Sequence, residues 1–156
     1  MSDPVNQVSV SRDIAAPAEQ VWALVADLPR MGEWSPETTG GRWRRGATGP
    51  AVGARFRGWN ANGWHRWGTW TEVTRCEPGS CFEFSVSAVG LPVARWTYDL
   101  EPTELGCRVT ETFTDTRGRV AKVLGGPVSG VTDRPEHNRR TMEQTLANLA
   151  AAAERG

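Results

Sequence analysis

The chain has 156 residues, enough for one domain over 1–156 that buries roughly 70% of its unfolded surface around a single core. Its 18 Lys plus Arg balance 18 Asp plus Glu, so a zero net charge gives no electrostatic case for a polyanion such as duplex DNA, and nucleic acid is not an expected partner. The opening MSDPVNQVSV has no basic segment followed by an apolar one, and no apolar run approaches the ~18–20 residues that span a bilayer, so a soluble cytoplasmic protein without stable membrane insertion is expected.

The segment QVSVSRDI sets Val8, Val10, Arg12 and Ile14 against Ser9, Ser11 and Asp13, the period of two of a half-buried strand. It stops at Ala16-Pro17. From Pro17 a helix pattern follows, with Glu19 complementing the dipole and Val21, Leu24, Val25 and Leu28 at three- and four-residue spacing, until Pro29 ends it. PRMGEW reads as a short turn or helix leading into a loop, SPETTGG. Six strands then follow at about 41–46, 52–60, 64–75, 80–88, 93–102 and 106–115, broken by Gly- or Pro-bearing turns in the manner of an antiparallel meander. GRVAKVLGGPVSGV is weakly helical, then broken by Gly125, Gly126 and Pro127, and reads as mobile. The last helix starts at Asp133-Arg134-Pro135-Glu136, where Asp133 can cap and Glu136 can reach back, and runs to about Glu154 with Met142, Thr145, Leu146, Leu149 and Ala153 on one stripe. The order β-αα-β6-α predicts an α+β fold in which a curved, seven-stranded antiparallel sheet grips the C-terminal helix.

The three cysteines, Cys76, Cys81 and Cys107, lack metal-type spacing, so neither a zinc site nor a disulfide framework is expected, and no cofactor is implied. Free thiols are the simpler reading, although Cys76 and Cys81 flank the turn EPGS and would be linkable if they faced each other across a hairpin.

Eight tryptophans are present, three of them within NGWHRWGTW. A type I′ turn at Asn62-Gly63 would set Ala61 opposite Trp64, Asn60 opposite His65 and Phe56 opposite Thr69. Opposed residues share a face, so one side carries Phe56, Asn60, His65, Trp67, Thr69, Thr71 and Val73, and the other Arg55, Arg57, Trp59, Arg66, Trp70 and Glu72. The arginine side must face water, where Trp59 and Trp70 either stiffen the sheet under arginines or form an interaction surface.

The inner side is apolar but interrupted by hydrogen-bonding groups. Later strands repeat the mixture with Phe82, Phe84 and Val86, then Trp96, Tyr98 and Leu100, then Cys107, Val109, Glu111 and Phe113. Glu111 is out of character. A carboxylate in phase with Val109 and Phe113 is paired, solvated by a cavity or neutralised through a raised pKa, unless the strand runs in another phase or meets an arginine at a wet edge. Apolar walls with a few convergent polar groups suit a small-molecule site, which the last helix would close with Met142 and Asn138.

APAEQVWALVADLPRMGEWSPE resembles the first helix and following loop of the polyketide cyclase/dehydrase family within the START-like, helix-grip (SRPBCC) superfamily. RWGTWTEVTRCEPGSCFEFSV, ARWTYDLEPTELGCRVTETF and TMEQTLANLAAAAE extend that resemblance over nearly the whole chain. It implies a deep apolar cavity between sheet and C-terminal helix, with Trp34 and the Gly125–Val131 segment near its mouth. The motifs are shared by cyclases, lipid carriers and stress-related binding proteins, so three functions stay open. The first is binding of a hydrophobic or aromatic small molecule, lipid or polyketide-like, along the wall residues named above. The second is a cyclase or dehydratase with His65 and Glu111 as its acid–base groups. The third is an interaction module on the outer Arg/Trp face. A monomer and a homodimer through an exposed strand are both compatible with the sequence.

Overall fold

The computed structural model describes residues 7–117 and 134–155. In chain order these form β1 (Gln7–Ile14), α1 (Ala18–Val25), a 3-10 helix over Leu28–Glu33, β2 (Thr38–Arg44), β3 (Arg55–Asn62), β4 (His65–Glu77), β5 (Cys81–Ala88), β6 (Leu91–Pro102), β7 (Cys107–Asp115) and α2 (Arg134–Arg155). The readings of the 118–131 segment and of the Asp133 cap lie outside the described residues.

All seven strands form one antiparallel sheet in the order β1-β7-β6-β5-β4-β3-β2. β1 and β2, adjacent in sequence, therefore sit at opposite edges. The helical link between them crosses the inner side of the sheet, burying Val21, Val25 and Leu28. Trp22 fixes that crossing: its indole Nε1 donates to the Cys81 carbonyl at 2.9 Å, and its ring meets Phe82 edge-on at 6.1 Å.

Helix α2 lies on the same side. Its stripe of Met142, Thr145, Leu146, Leu149 and Ala153 is buried together with Ala150, while Arg139, Arg140, Glu143 and Gln144 are exposed. Each buried leucine of this stripe contributes on the order of 1.5–3 kcal/mol. In β1, Val8, Val10 and Ile14 are buried as their alternation predicts, whereas Arg12, in phase with them, stays exposed.

Turn chemistry accounts for the strand ends. Glu77-Pro78-Gly79-Ser80 is a type II turn: Ser80 donates to the Glu77 carbonyl at 2.9 Å, and Gly79 takes the positive φ that the third position requires. Its register sets Glu77 opposite Cys81 and Cys76 opposite Phe82, so the two cysteines do not face each other, and all three are free thiols. Strand β2 starts at Thr38 rather than within the second glycine of SPETTGG, because Thr38 and Thr39 favour extended backbone and a bulge before Gly40 absorbs the irregularity.

The β3–β4 turn corrects the expected register. Asn62 pairs with His65, so Gly63-Trp64 are the two turn residues. Gly63 has φ +62° and Trp64 does not have positive φ, which suits a type II′ turn rather than a type I′ turn. The pairing therefore shifts by two residues against the expectation. Phe56 faces Thr71 instead of Thr69, and Asn60 faces Trp67 instead of His65. Because the shift is two residues, an even number, each residue keeps its face.

Candidate functional site

The sheet's inner surface is divided lengthwise. Towards the end where α1 crosses β5 and β6, Phe82, Val73, Leu100, Val109 and Cys107 are sealed under the helices. Towards the β3–β4 and β5–β6 turns the sheet and the first half of α2 separate and enclose a cavity of about 510 Å³. That volume is within the range of drug-sized ligands.

Its walls follow the strand rows. β3 and β4 supply Phe56, Asn60, Trp67, Thr69 and Thr71. β5 and β6 supply Phe84, Val86, Ala94, Trp96 and Tyr98, and β7 supplies Glu111 and Phe113. Trp96 and Phe113 pack tilted at 4.9 Å between centroids. The roof is Asn138, Thr141, Met142 and Thr145 of α2. Glycine opens space for one aromatic wall: a Cβ on Gly41 would stand 2.4 Å from the Phe56 ring, so the ring occupies the place of that absent side chain.

Four of the residues read as site residues do not line the cavity, each for a local reason. Phe82 is fully buried beneath Trp22, and Val109 is fully buried one register row deeper than Glu111. Trp34 is buried in the core, its carbonyl accepting from Asn148 Nδ2 at 2.9 Å and its ring under the Arg30 guanidinium. His65 stands at the hairpin tip, stacked on Trp64 at 4.2 Å, because the slipped register places Asn60 beside Trp67 and carries the histidine beyond the cavity. The structure therefore does not bring His65 and Glu111 together.

Glu111 is only 2% exposed. Its cross-strand neighbours are Val10 on one side and Tyr98 on the other. The Tyr98 hydroxyl donates to Oε1 at 2.9 Å, while Oε2 is buried and has no hydrogen-bond partner among the described residues. Burial pushes this carboxyl up to about 8, outweighing the tyrosine hydrogen bond that favours the anion. The acid is thus predominantly protonated near neutral pH. Burial also raises the Tyr98 phenol well above its ordinary value, so it remains a donor.

A second polar group is Asn60, whose Nδ2 lies 3.4 Å from Thr69 Oγ1, a long contact. At the partly exposed rim, His137 of α2 meets Glu37 at 2.5 Å across a sequence separation of 100 residues. Arg117 holds Asp115 through Nε and Nη2 at 3.0 and 2.9 Å. Val89, on the β5–β6 turn, has φ +53°, a left-handed conformation that a β-branched side chain rarely adopts.

Sequence reasoning missed Ser35, Glu37 and Thr38, which fall in the expected loop SPETTGG, Val89, Leu91 and Pro92, which fall in the break expected between strands 80–88 and 93–102, and Ala88 and Val93 at the ends of those strands. Thr141 had a signal: it follows Asn138 by three on the same helix face. The His137–Glu37 contact had none, since nothing local announces a pairing between residues 100 positions apart. Among the described residues no group of three His, Cys, Asp or Glu is arranged to hold a metal. Burial raises all three thiols, Cys81 to about 12, which makes them poor nucleophiles.

A protein from Nitrosomonas europaea has the same fold, with a TM-score of 0.72, 14% identity, and 99% of this chain and 97% of that one covered. The polyketide cyclase-like protein Cgl2372 from Corynebacterium glutamicum is 32% identical over 95% of this chain and 85% of its own, with a TM-score of 0.53. The di-domain aromatase/cyclase StfQ of the steffimycin biosynthetic pathway has a TM-score of 0.74 at 16% identity, with 96% of this chain matching 51% of that protein. No curated protein sequence matches significantly. Residues 6–154 match the profile of the family described as polyketide cyclase/dehydrase and lipid transport. Fold, cavity and profile together place the chain in that family.

Proposed function

We propose that this protein binds a hydrophobic or aromatic small molecule, lipid or polyketide-like, in the cavity between the sheet and α2. The observation that carries the reading is the composition of a half-enclosed space of about 510 Å³: Phe56, Trp67, Phe84, Trp96 and Phe113 give apolar area, while polar groups set among them, such as Asn60, Thr69, Tyr98, Glu111 and Asn138, can orient a ligand. Burying such a ligand against aromatic walls returns roughly 25 cal/mol per Å² of apolar surface before the cost of immobilisation is taken off. Titration with Nile red, an uncharged environment-sensitive dye, tests this. Blue-shifted emission saturating at one dye per chain is expected, displaced by long-chain alcohols or polycyclic aromatics. No emission change at protein concentrations up to the millimolar range would end the proposal.

A second reading, a cyclase or dehydratase, is favoured by one observation, the Tyr98–Glu111 pair. An acid that keeps its proton near neutral pH can donate to a carbonyl or enolate oxygen during aldol closure and dehydration. StfQ is described as an aromatase/cyclase, and a similar chemistry here would rest on Glu111 with no help from His65. Altered product distribution from a poly-β-ketone in Glu111→Gln, and none in His65→Ala, is the expected pattern. Identical products from wild type and Glu111→Gln would remove the catalytic reading.

A further inference from the structure

We propose that Glu111 is the recognition element of the cavity: its Oε2 donates a hydrogen bond to an uncharged ligand bearing an acceptor oxygen, such as a ketone or quinone, and discriminates against ligands bearing a carboxylate. The inference rests on the binding reading above and names the ligand class for that same site.

The geometry decides which oxygen has the proton. Tyr98 donates to Oε1, so Oε1 acts as the acceptor of the acid, and the proton is left to Oε2. Oε2 is buried and has no hydrogen-bond partner among the described residues, although its side chain lines the cavity. A buried polar atom without a partner is costly to leave so, and an acceptor placed in the cavity satisfies it. Among the described residues the neighbourhood offers no unengaged cation to stabilise an anion instead. Val10 and Tyr98 flank Glu111 in the sheet, and α2 presents Asn138, Thr141, Met142 and Thr145 across the space, none of them charged. The other charged groups on the wall, Glu37 and Arg117, are engaged with His137 and Asp115.

The consequences differ by ligand class. A ketone oxygen accepts from Oε2–H at no electrostatic cost. A carboxylate brought to the same place can also accept from Oε2–H, but it gives up its hydration in an apolar enclosure with no free cation opposite it among the described residues, and that cost exceeds the gain of one hydrogen bond. A hydrocarbon of the same shape gains the burial but leaves Oε2 unsatisfied. An ammonium ligand would require Glu111 to ionise first. Burial holds the carboxyl at about 8, so ketone binding is strongest below that pH and weakens as the acid loses its proton above it.

Displacement of Nile red by a matched set tests this: 2-acetylnaphthalene, 2-ethylnaphthalene, 2-naphthoate and 2-naphthylmethylammonium, each at pH 6.5 and pH 9.5, against wild type, Glu111→Gln and Glu111→Leu. At pH 6.5 the ketone is expected to displace the dye at a concentration about tenfold or more below that of the carboxylate, and severalfold below that of the hydrocarbon. Its advantage over the hydrocarbon shrinks at pH 9.5. Glu111→Gln, which keeps a donor but cannot ionise, retains the ketone preference and loses its pH dependence. Glu111→Leu, which keeps an apolar wall, binds the hydrocarbon and loses the preference. Equal displacement by ketone, hydrocarbon and carboxylate in wild type, tightest binding of the ammonium, or a ketone preference intact in Glu111→Leu would each overturn the assignment while leaving cavity binding in place. Failure of wild type to bind Nile red or any of the four compounds would instead overturn the binding reading itself.

Discussion

Glu111 shows how one side chain connects strand phase to chemistry. Its alternation with Val109 and Phe113 sends it inward, and the cross-strand position of Tyr98 then supplies a single hydrogen bond, too little to hold the anion. The folded state therefore binds the proton more tightly than the unfolded chain, with the carboxyl raised from 4.5 to about 8. A raised value means that the stabilising contribution is complete below the unfolded value and is lost as pH rises through the folded one. Glu111→Gln resembles the neutral acid at every pH. Its stability relative to wild type should therefore climb between about pH 5 and pH 8, by up to about 1.4 kcal/mol per pH unit, in urea melts across that range. A difference that stays flat with pH would mean the carboxyl is ionised in the fold. The inward phase of Glu111 was legible in the sequence because period two survives any sliding of the strand by two. The position of His65 was not, because it depended on which two residues make the hairpin turn, and Asn62-Gly63 and Gly63-Trp64 both contain a turn-forming glycine.

At the scale of elements, the two hairpins at the cavity end place their strain differently. In β3–β4 the positive φ falls on Gly63 and costs little, whereas in β5–β6 it falls on both Val89 and Gly90. A pair of positive φ values is the type I′ pattern, for which Asn-Gly is the favoured sequence and Val-Gly a strained one. Val89→Asn is expected to raise stability by about 1 kcal/mol in chemical denaturation. Val89 is 96% exposed and so gives up little packing on replacement; a neutral or destabilising result would contradict the assignment of strain to this residue. The outer face of β3 and β4 also follows from alternation. Arg57 lies 4.8 Å from the Trp59 ring and 5.2 Å from that of Trp70, Arg45 lies 5.8 Å from Trp70, and Arg55 pairs with Glu72 at 3.1 Å. Alternation gave the inward and outward sets of this hairpin even though its register was displaced, because a shift of two residues preserves the faces. The start of β2 was hidden for a different reason: glycines and a bulge interrupt the periodicity that announces the other strands.

For the whole molecule, the decisive property is that α2 meets the sheet along only part of its length. Leu146, Leu149, Ala150 and Ala153 close tightly against β1 and α1, while Asn138, Thr141, Met142 and Thr145 stand over a gap. The architecture was legible from the order of elements and the family resemblance, since six strands and an amphipathic helix have few ways to bury their apolar faces together. The boundary between the filled and open halves was not, because the same inward residue types occur in both: Phe82 is sealed and Phe84 faces the cavity two positions later. Among the described residues no helix is long and apolar enough to cross a membrane. The central claim is that the open half is a ligand site, and the most direct test fills it. Thr145, buried at the roof, is replaced by Trp, whose added volume occupies the gap, and Nile red is titrated into wild type and Thr145→Trp with folding checked by circular dichroism. The account predicts saturable binding to wild type and at least a tenfold weaker response from the folded variant. Equal binding by the two would contradict it, since the dye would then occupy some place other than the cavity.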